Sequence, residues 1–347
     1  YYCYVEPKAG HGSGLLSALA TKACAVVTDD FPCFFIPQML KSVAPRLSVR
    51  LEAIDSNGLL PLRAASQIYP TAYAFRRFLH KALPDHLDQT PKINPLSHID
   101  LPEFSSLPAK ILERWPMASD QLLQATPEVL ADLPLDHQVG PADFDGGMKA
   151  ASKTLKQFLN VRFERYAEER NLPEEEVTSG LSPYLHFGHI SVHEVFKRVA
   201  DREDWNAAKV IDQKATGKRA GWWQMGYNMC WQRDDYDQYE SLPDWARTTL
   251  EEHAADKRDP CYTLEEFEQA RTHDELWNAA QTQLVIEGRM HNYMRMLWGK
   301  KILHWSESPQ AALEIMIHLN NKYAVDGRNP NSYSGIFWCL GRYDRAW

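Results

Sequence analysis

The chain has 347 residues, a formal net charge of −8, 44% hydrophobic and 24% charged residues, and a sequence pI near 5.9. That length suggests two domains at roughly 100–200 residues each, and mixed charge with 11% aromatics excludes disorder as the main state. The acidic total excludes a wholly basic nucleic-acid coat but leaves room for a local basic face.

No apolar run approaches the roughly 18 residues a membrane span needs, so no membrane partner is expected. The six cysteines, Cys3, Cys24, Cys33, Cys230, Cys261 and Cys339, form no C-x-x-C pair. A zinc ribbon or clustered iron–sulfur set therefore has no support, and no metal is expected. Scattered thiols fit a reducing, cytoplasmic setting, with the cysteines as small buried hydrophobes. No charged leader precedes an apolar core, so no signal peptide is expected.

In chain order, Ala25-Val26-Val27-Thr28-Asp29-Asp30 reads as a short buried strand, a helix pattern follows from Phe34 to Val43, and Leu47–Ile54 alternates with period two. This β-α-β order predicts a parallel, Rossmann-like sheet that is incomplete, with only two strands visible. No G-x-G-x-x-G is present, so the sheet gives no dinucleotide signal. Residues 84–141 hold nine of the 21 prolines (at 84, 91, 95, 102, 108, 116, 127, 134 and 141) and read as a long crossing linker. Beyond Phe144 the pattern is helical. Phe158, Val161, Phe163 and Tyr166 lie near helical spacing, Val192, Val195 and Phe196 form another apolar face, and 275–305 reads as one long helix. The fold class is thus an α/β N-terminal domain over 1–83, a linker over 84–143, and a larger all-α domain over 144–347.

Nine of the eleven tryptophans (all but those at 115 and 205) fall in the last third of the chain, which points to a dense core or to a site that uses π-faces. Three segments carry candidate chemistry. In Thr178-Ser179-Gly180-Leu181-Ser182-Pro183-Tyr184-Leu185-His186-Phe187-Gly188, hydroxyls flank a glycine and Pro183 falls at a first helical position, making Ser182 an N-cap candidate. Such a start either cradles a phosphate or is a plainly capped helix. In Gly288–Lys301, Asn292 and Met296 share one helix face, whereas Arg295 points among apolar residues and needs a carboxylate partner. Lys300 and Lys301 either meet phosphates or form a solvated face. Leu319–Trp338 gathers amides, one acid and a tryptophan around a Gly/Asn/Pro-rich turn that needs internal hydrogen bonds or a ligand.

With these residues in view, Thr178–Gly188 resembles the flavin-phosphate segment of the photolyase/cryptochrome family. Leu276-Trp277-Asn278-Ala279-Ala280-Gln281, the Arg289–Trp305 helix and the Asn320–Trp338 loop resemble its class II branch, the cyclobutane pyrimidine dimer photolyases. The resemblance implies FAD held folded in the helical domain. Tyr166 matches the family's cofactor-binding tyrosine ahead of the phosphate segment, and Thr178, Ser179, Gly180, Leu181 and Ser182 match the flavin-phosphate contacts. Arg295 and Asp326 match a charged pair beside the isoalloxazine, and Asn320 matches the amide expected at its reactive edge, able to donate and accept. Trp298, Trp277 and Trp305 match tryptophans that carry electrons during photoreduction. Asn292, Met296 and Trp338 match positions facing a flipped-out dimer.

The implied activity is light-dependent repair of UV-damaged DNA by a monomer, a deoxyribodipyrimidine photo-lyase. The alternative is a cryptochrome-like flavin photoreceptor without repair activity. An antenna chromophore of deazaflavin or folate type is not supported, because only the later part of the family's N-terminal sheet is present. The chain also departs from the branch where Gly221–Met225 runs straight into Gly226-Tyr227-Asn228, since the resemblance implies a further helical stretch there with a glutamate and a tryptophan that touch the dimer. Asn329 stands where the branch shows an acid.

Overall fold

The computed structural model describes residues 2–87, 90–92, 94–100, 106–202 and 216–343, with backbone alone for 216–223. Strands β1 (Ala25–Asp29) and β2 (Arg50–Ile54) pair in parallel, with Ala25 opposite Arg50, Val27 opposite Glu52 and Asp29 opposite Ile54. Parallel strands need a crossover connection, and the Ile36–Val43 helix supplies it, with Pro37 in its first turn where a missing N–H is tolerated. These elements belong to one unit formed by Tyr1–Asp30, Phe35–Ile54 and Pro91–Pro141.

Inside that unit the buried Trp115 donates its indole N–H to the His11 carbonyl at 2.9 Å, and Ala118 N–H donates to the Cys3 carbonyl at 2.8 Å. Parallel sheets are normally covered on both faces, yet Val27 is 65% exposed. The two-stranded parallel sheet agrees with the α/β reading, but β1 is not the buried strand expected from the sequence, since its residues alternate between exposed and half-buried.

The second unit comprises Phe31–Phe34, Asp55–Thr90 and Ala142–Trp347 and is helical. Its centre is built from four helices, Thr216–Gln232, Asn292–Trp305, Pro309–Tyr323 and Pro330–Cys339. Two glycines set their spacing. A Cβ on Gly226 would lie 2.6 Å from the Pro330 carbonyl oxygen, and one on Gly299 would lie 2.6 Å from Cys339 Sγ. The Thr216–Gln232 helix runs unbroken through Met225 and Gly226, the junction at which the resemblance implies an extra stretch. The Trp222 and Trp223 side chains of that junction lie outside the described residues.

Three sequence expectations need correction. The 275–305 pattern is two helices, Glu275–Glu287 and Asn292–Trp305. Gly288, at φ +65°, ends the first, and its carbonyl accepts from Val325 N–H at 2.8 Å. A side chain there would meet Val325 Cγ2 at 2.4 Å, so the break belongs to the tertiary packing and leaves the apolar periodicity running across it. Val161 is 72% exposed, because a widened turn over Phe158–Arg162 rotates it off the apolar face. Cys33, Cys230 and Cys339 are buried and Cys3 is half-buried, but Cys24, in a bend before β1, and Cys261, in the loop ahead of the Leu264–Glu268 helix, are exposed.

Candidate functional site

Asp326 is the hub. It follows the Pro309–Tyr323 helix in a turn closed by Gly327, where a Cβ would sit 2.7 Å from the Asn320 carbonyl and 2.8 Å from that of Ala324. One carboxylate oxygen accepts from the Ser182 hydroxyl at 2.5 Å, and the other lies 3.4–3.5 Å from both terminal nitrogens of Arg295. The turn is braced by the Ser332 hydroxyl, which donates to the Asp326 carbonyl at 3.1 Å, and by Asn321, whose side-chain oxygen accepts from Arg328 N–H at 2.9 Å. Arg328 holds φ at +58°, which few side chains adopt.

Burial pushes the Asp326 pKa upward, but the Arg295 charge, the Ser182 hydrogen bond and nearby His186 outweigh it and hold the carboxyl below its ordinary value. His186 moves down, chiefly through burial and also through Arg328, while Asp326 opposes the change. Its Nδ1 lies 3.2 Å from the Asn329 amide nitrogen. An amide there partners the neutral imidazole without adding a second negative charge beside Asp326.

The Thr178–Ser182 segment enters a short helix, Ser182–His186. Ser182 does not cap it, contrary to the sequence expectation. Leu181 is the preceding residue, no side chain caps the start, and the Ser182 hydroxyl is drawn to the Asp326 carboxylate, an ionised acceptor. Gly180 holds φ +67°, a conformation that favours glycine. Ser179 Oγ accepts from Leu181 N–H at 3.4 Å, and Thr178 is half-buried. Leu181 and Tyr166 are buried in one cluster with Ala151, Leu155, Phe158, Tyr184 and Ile190, and Tyr166 meets Phe158 edge-on at 5.5 Å.

Arg295 and Trp298 are three residues apart on the Asn292–Trp305 helix and so share a face. From Trp298 an aromatic column runs away from Asp326. Trp298 stacks on Trp277 at 6.4 Å with planes 4° apart, and Trp277 meets Trp305 at 6.2 Å and 69°. Trp305 in turn meets the exposed His273 at 4.9 Å and Tyr262 at 6.0 Å. Asn320 is buried in the Pro309–Tyr323 helix, and its amide donates to Asn321 Oδ1 at 3.4 Å.

Asn292 is exposed at the first turn of its helix, with half-buried Met296 one turn further on. The Met296 carbonyl lies 3.7 Å from the Cys339 thiol, adjacent to Trp338 on the neighbouring helix. Trp338 packs against the cluster of Phe75, Met225 and Tyr343, and stands 5.5 Å from the Tyr343 ring. The structure thus joins Ser182, Asp326 and Arg295 directly and brings the three tryptophans into contact, Trp298 stacked on Trp277 and Trp305 edge-on to Trp277. A separate small cavity of about 10 Å³, lined by Asn57, Gly58, Leu60, Phe75, Gln224 and Tyr227 among others, contains none of the candidate site residues.

Sequence reasoning quoted Gln281 without giving it a role, though it accepts a hydrogen bond from the Trp298 indole N–H, and missed the Asn329–His186 contact. The first had a weak signal, since Gln281 shares its helix with Asn278 and Gln283 and only its burial sets it apart. The second had none, because it joins residues 143 positions apart.

A parallel-sheet unit and a helical unit that carries a half-buried ion pair and a run of tryptophan contacts define the class as a two-part α/β and helical protein. No family model matches the chain. The deoxyribodipyrimidine photo-lyase of Methanothermobacter thermautotrophicus is 32% identical over 338 residues, covering 96% of this chain and 69% of that protein. Those of Arabidopsis thaliana and Potorous tridactylus are each 34% identical, covering 94% and 93% of this chain. This chain spans 64% and 58% of their respective lengths. On these grounds the chain belongs to the photolyase/cryptochrome family. Two solved structures share the fold, a Synechocystis cryptochrome (TM-score 0.66, 14% identity, 97% of this chain and 66% of that one) and an Agrobacterium tumefaciens class III photolyase (0.60, 16%, 94% and 64%).

Proposed function

We propose that the helical unit holds FAD and serves light-driven repair of cyclobutane pyrimidine dimers in DNA, in the manner of the class II branch. The observation that carries this is the Ser182–Asp326–Arg295 junction. Arg295 Nε is buried with no hydrogen-bond partner among the described residues, a donor left over beside a carboxylate that already fixes the guanidinium. An orphaned cationic donor, flanking hydroxyls and a left-handed glycine suit a flavin nucleotide. FAD, when bound, supplies the light-excited electron that opens the cyclobutane ring and is then recovered.

The chain's own residues orient and insulate. Asp326 holds Arg295 toward the ring system. Thr178, Ser179, Gly180, Leu181 and Ser182 receive the phosphates, Tyr166 lies ahead of them in the cofactor site, and Asn320 presents an amide able to serve more than one protonation state. Trp298, Trp277 and Trp305 carry electrons inward, and Asn292, Met296 and Trp338 face the damaged bases, where Trp338 offers a stacking plane. Base extrusion by photolyases is a general example of base flipping.

A second reading, a flavin photoreceptor without repair, rests on the Met225–Gly226 junction, which one helix crosses without the further stretch that the resemblance implies there. Illumination of the reduced holoprotein with ultraviolet-damaged oligonucleotide separates the two. Loss of dimers in light but not in darkness supports repair, and bound flavin without loss supports the receptor.

A further inference from the structure

The two inner tryptophans have their indole protons tied to groups that cannot take them. Trp298 Nε1 donates to the Gln281 side-chain oxygen at 2.9 Å, with both residues buried. The Gln281 side-chain nitrogen faces the Glu268 backbone carbonyl at 3.5 Å, which orients the amide with its oxygen toward the indole. Trp277 Nε1 donates to the Trp298 backbone carbonyl at 3.1 Å. The Glu268 carboxylate is engaged elsewhere, by Lys322 and Tyr323 at 2.9 Å each. Amide oxygens accept hydrogen bonds but are not useful bases.

Resting on the reading of these tryptophans as electron carriers, we propose that Gln281 is a positioning residue that fills the place beside Trp298 Nε1 with an acceptor too weakly basic to take the proton after Trp298 has given an electron to the light-excited oxidised flavin, which becomes the one-electron-reduced flavin. Trp298 then remains a radical cation. An electron moves to it from Trp277, and another to Trp277 from Trp305, with no bond made or broken. An added thiol returns the last electron to Trp305 from outside. A base in place of Gln281 would break the Nε1–H bond and take the proton. The neutral radical left behind lacks the positive charge that draws an electron from Trp277, so the vacancy would stop at Trp298.

The test is flash spectroscopy of the FAD-loaded chain, comparing wild type with Gln281→Glu, Gln281→Met and Trp298→Phe. Wild type and Gln281→Met are expected to show the indole cation signature, with no solvent deuterium effect on the step out of Trp298. Gln281→Glu is expected to show the neutral radical and to lose the outward steps. Cation kinetics in Gln281→Glu matching wild type overturn the proposal, as does a neutral radical in Gln281→Met. If the glutamate variant does not fold, the wild type decides, since a solvent deuterium effect on the Trp298 step rejects the idea.

In the flavin-free protein the Trp298 indole N–H resonance is expected to shift in Gln281→Met, and no shift contradicts the hydrogen bond itself. Unchanged photoreduction in Trp298→Phe rejects the carrier reading, an outcome separate from any result at Gln281.

Discussion

Asp326→Asn isolates the ion pair at the centre of the site. At 3.4 Å two unit charges attract by about 5 kcal/mol with an effective dielectric constant near 20. The side chains of Arg295 and Asp326 are 24% and 17% exposed, so solvent removes part of that. Asparagine keeps an oxygen for the Ser182 hydroxyl but not its charge, which leaves about 2–3 kcal/mol, the range of a charged hydrogen bond. A double-mutant cycle with Arg295→Met, read by urea unfolding of the flavin-free protein, should give a coupling of about 2 kcal/mol. The m-value should stay constant across the four proteins. A coupling below about 0.5 kcal/mol would mean the two side chains act independently, and the hub role of Asp326 would be refuted.

Further outcomes follow from the same geometry. Because the folded Asp326 carboxyl lies below its ordinary value of 3.8, its contribution to stability is fully present above that value and is lost as pH falls through the lower folded value; acid unfolding of wild type and Asp326→Asn should therefore converge in that window. Gly327→Ala should cost about 1–3 kcal/mol, because its Cβ would press on the backbone oxygens of Asn320 and Ala324, and thermal unfolding measures it. Trp338→Ala should leave flavin content unchanged while weakening binding of ultraviolet-damaged DNA by about 1–3 kcal/mol, measured by titration with damaged against undamaged oligonucleotide.

The β-α-β start was legible because β-branched runs and a Pro-started helix signal themselves locally. The need of Arg295 for an acid was also legible, since a guanidinium among apolar residues cannot stay alone. The break at Gly288 was hidden because hydrophobic period persists through it, and only Val325, 37 positions on, explains the turn. Ser182 looked like a cap because the sequence shows the hydroxyl and not the distant carboxylate that competes for it. Gln281 could have been noticed as polar on a buried face, but its indole partner comes from another helix. Phe31–Phe34 joins the helical unit although its neighbours in sequence do not, through contacts such as Phe34 N–H to the Tyr236 hydroxyl at 2.7 Å.

The most direct measurement is flavin uptake by the purified chain. Titration of flavin-free protein with FAD, followed by absorption and by quenching of flavin emission, should show saturable binding of one FAD per chain, with FAD retained through gel filtration by the wild type and released by Asp326→Asn. A wild-type chain that folds, yet emerges colourless and takes up no FAD at any concentration tested, contradicts the assignment of the Ser182–Asp326–Arg295 junction as a flavin site.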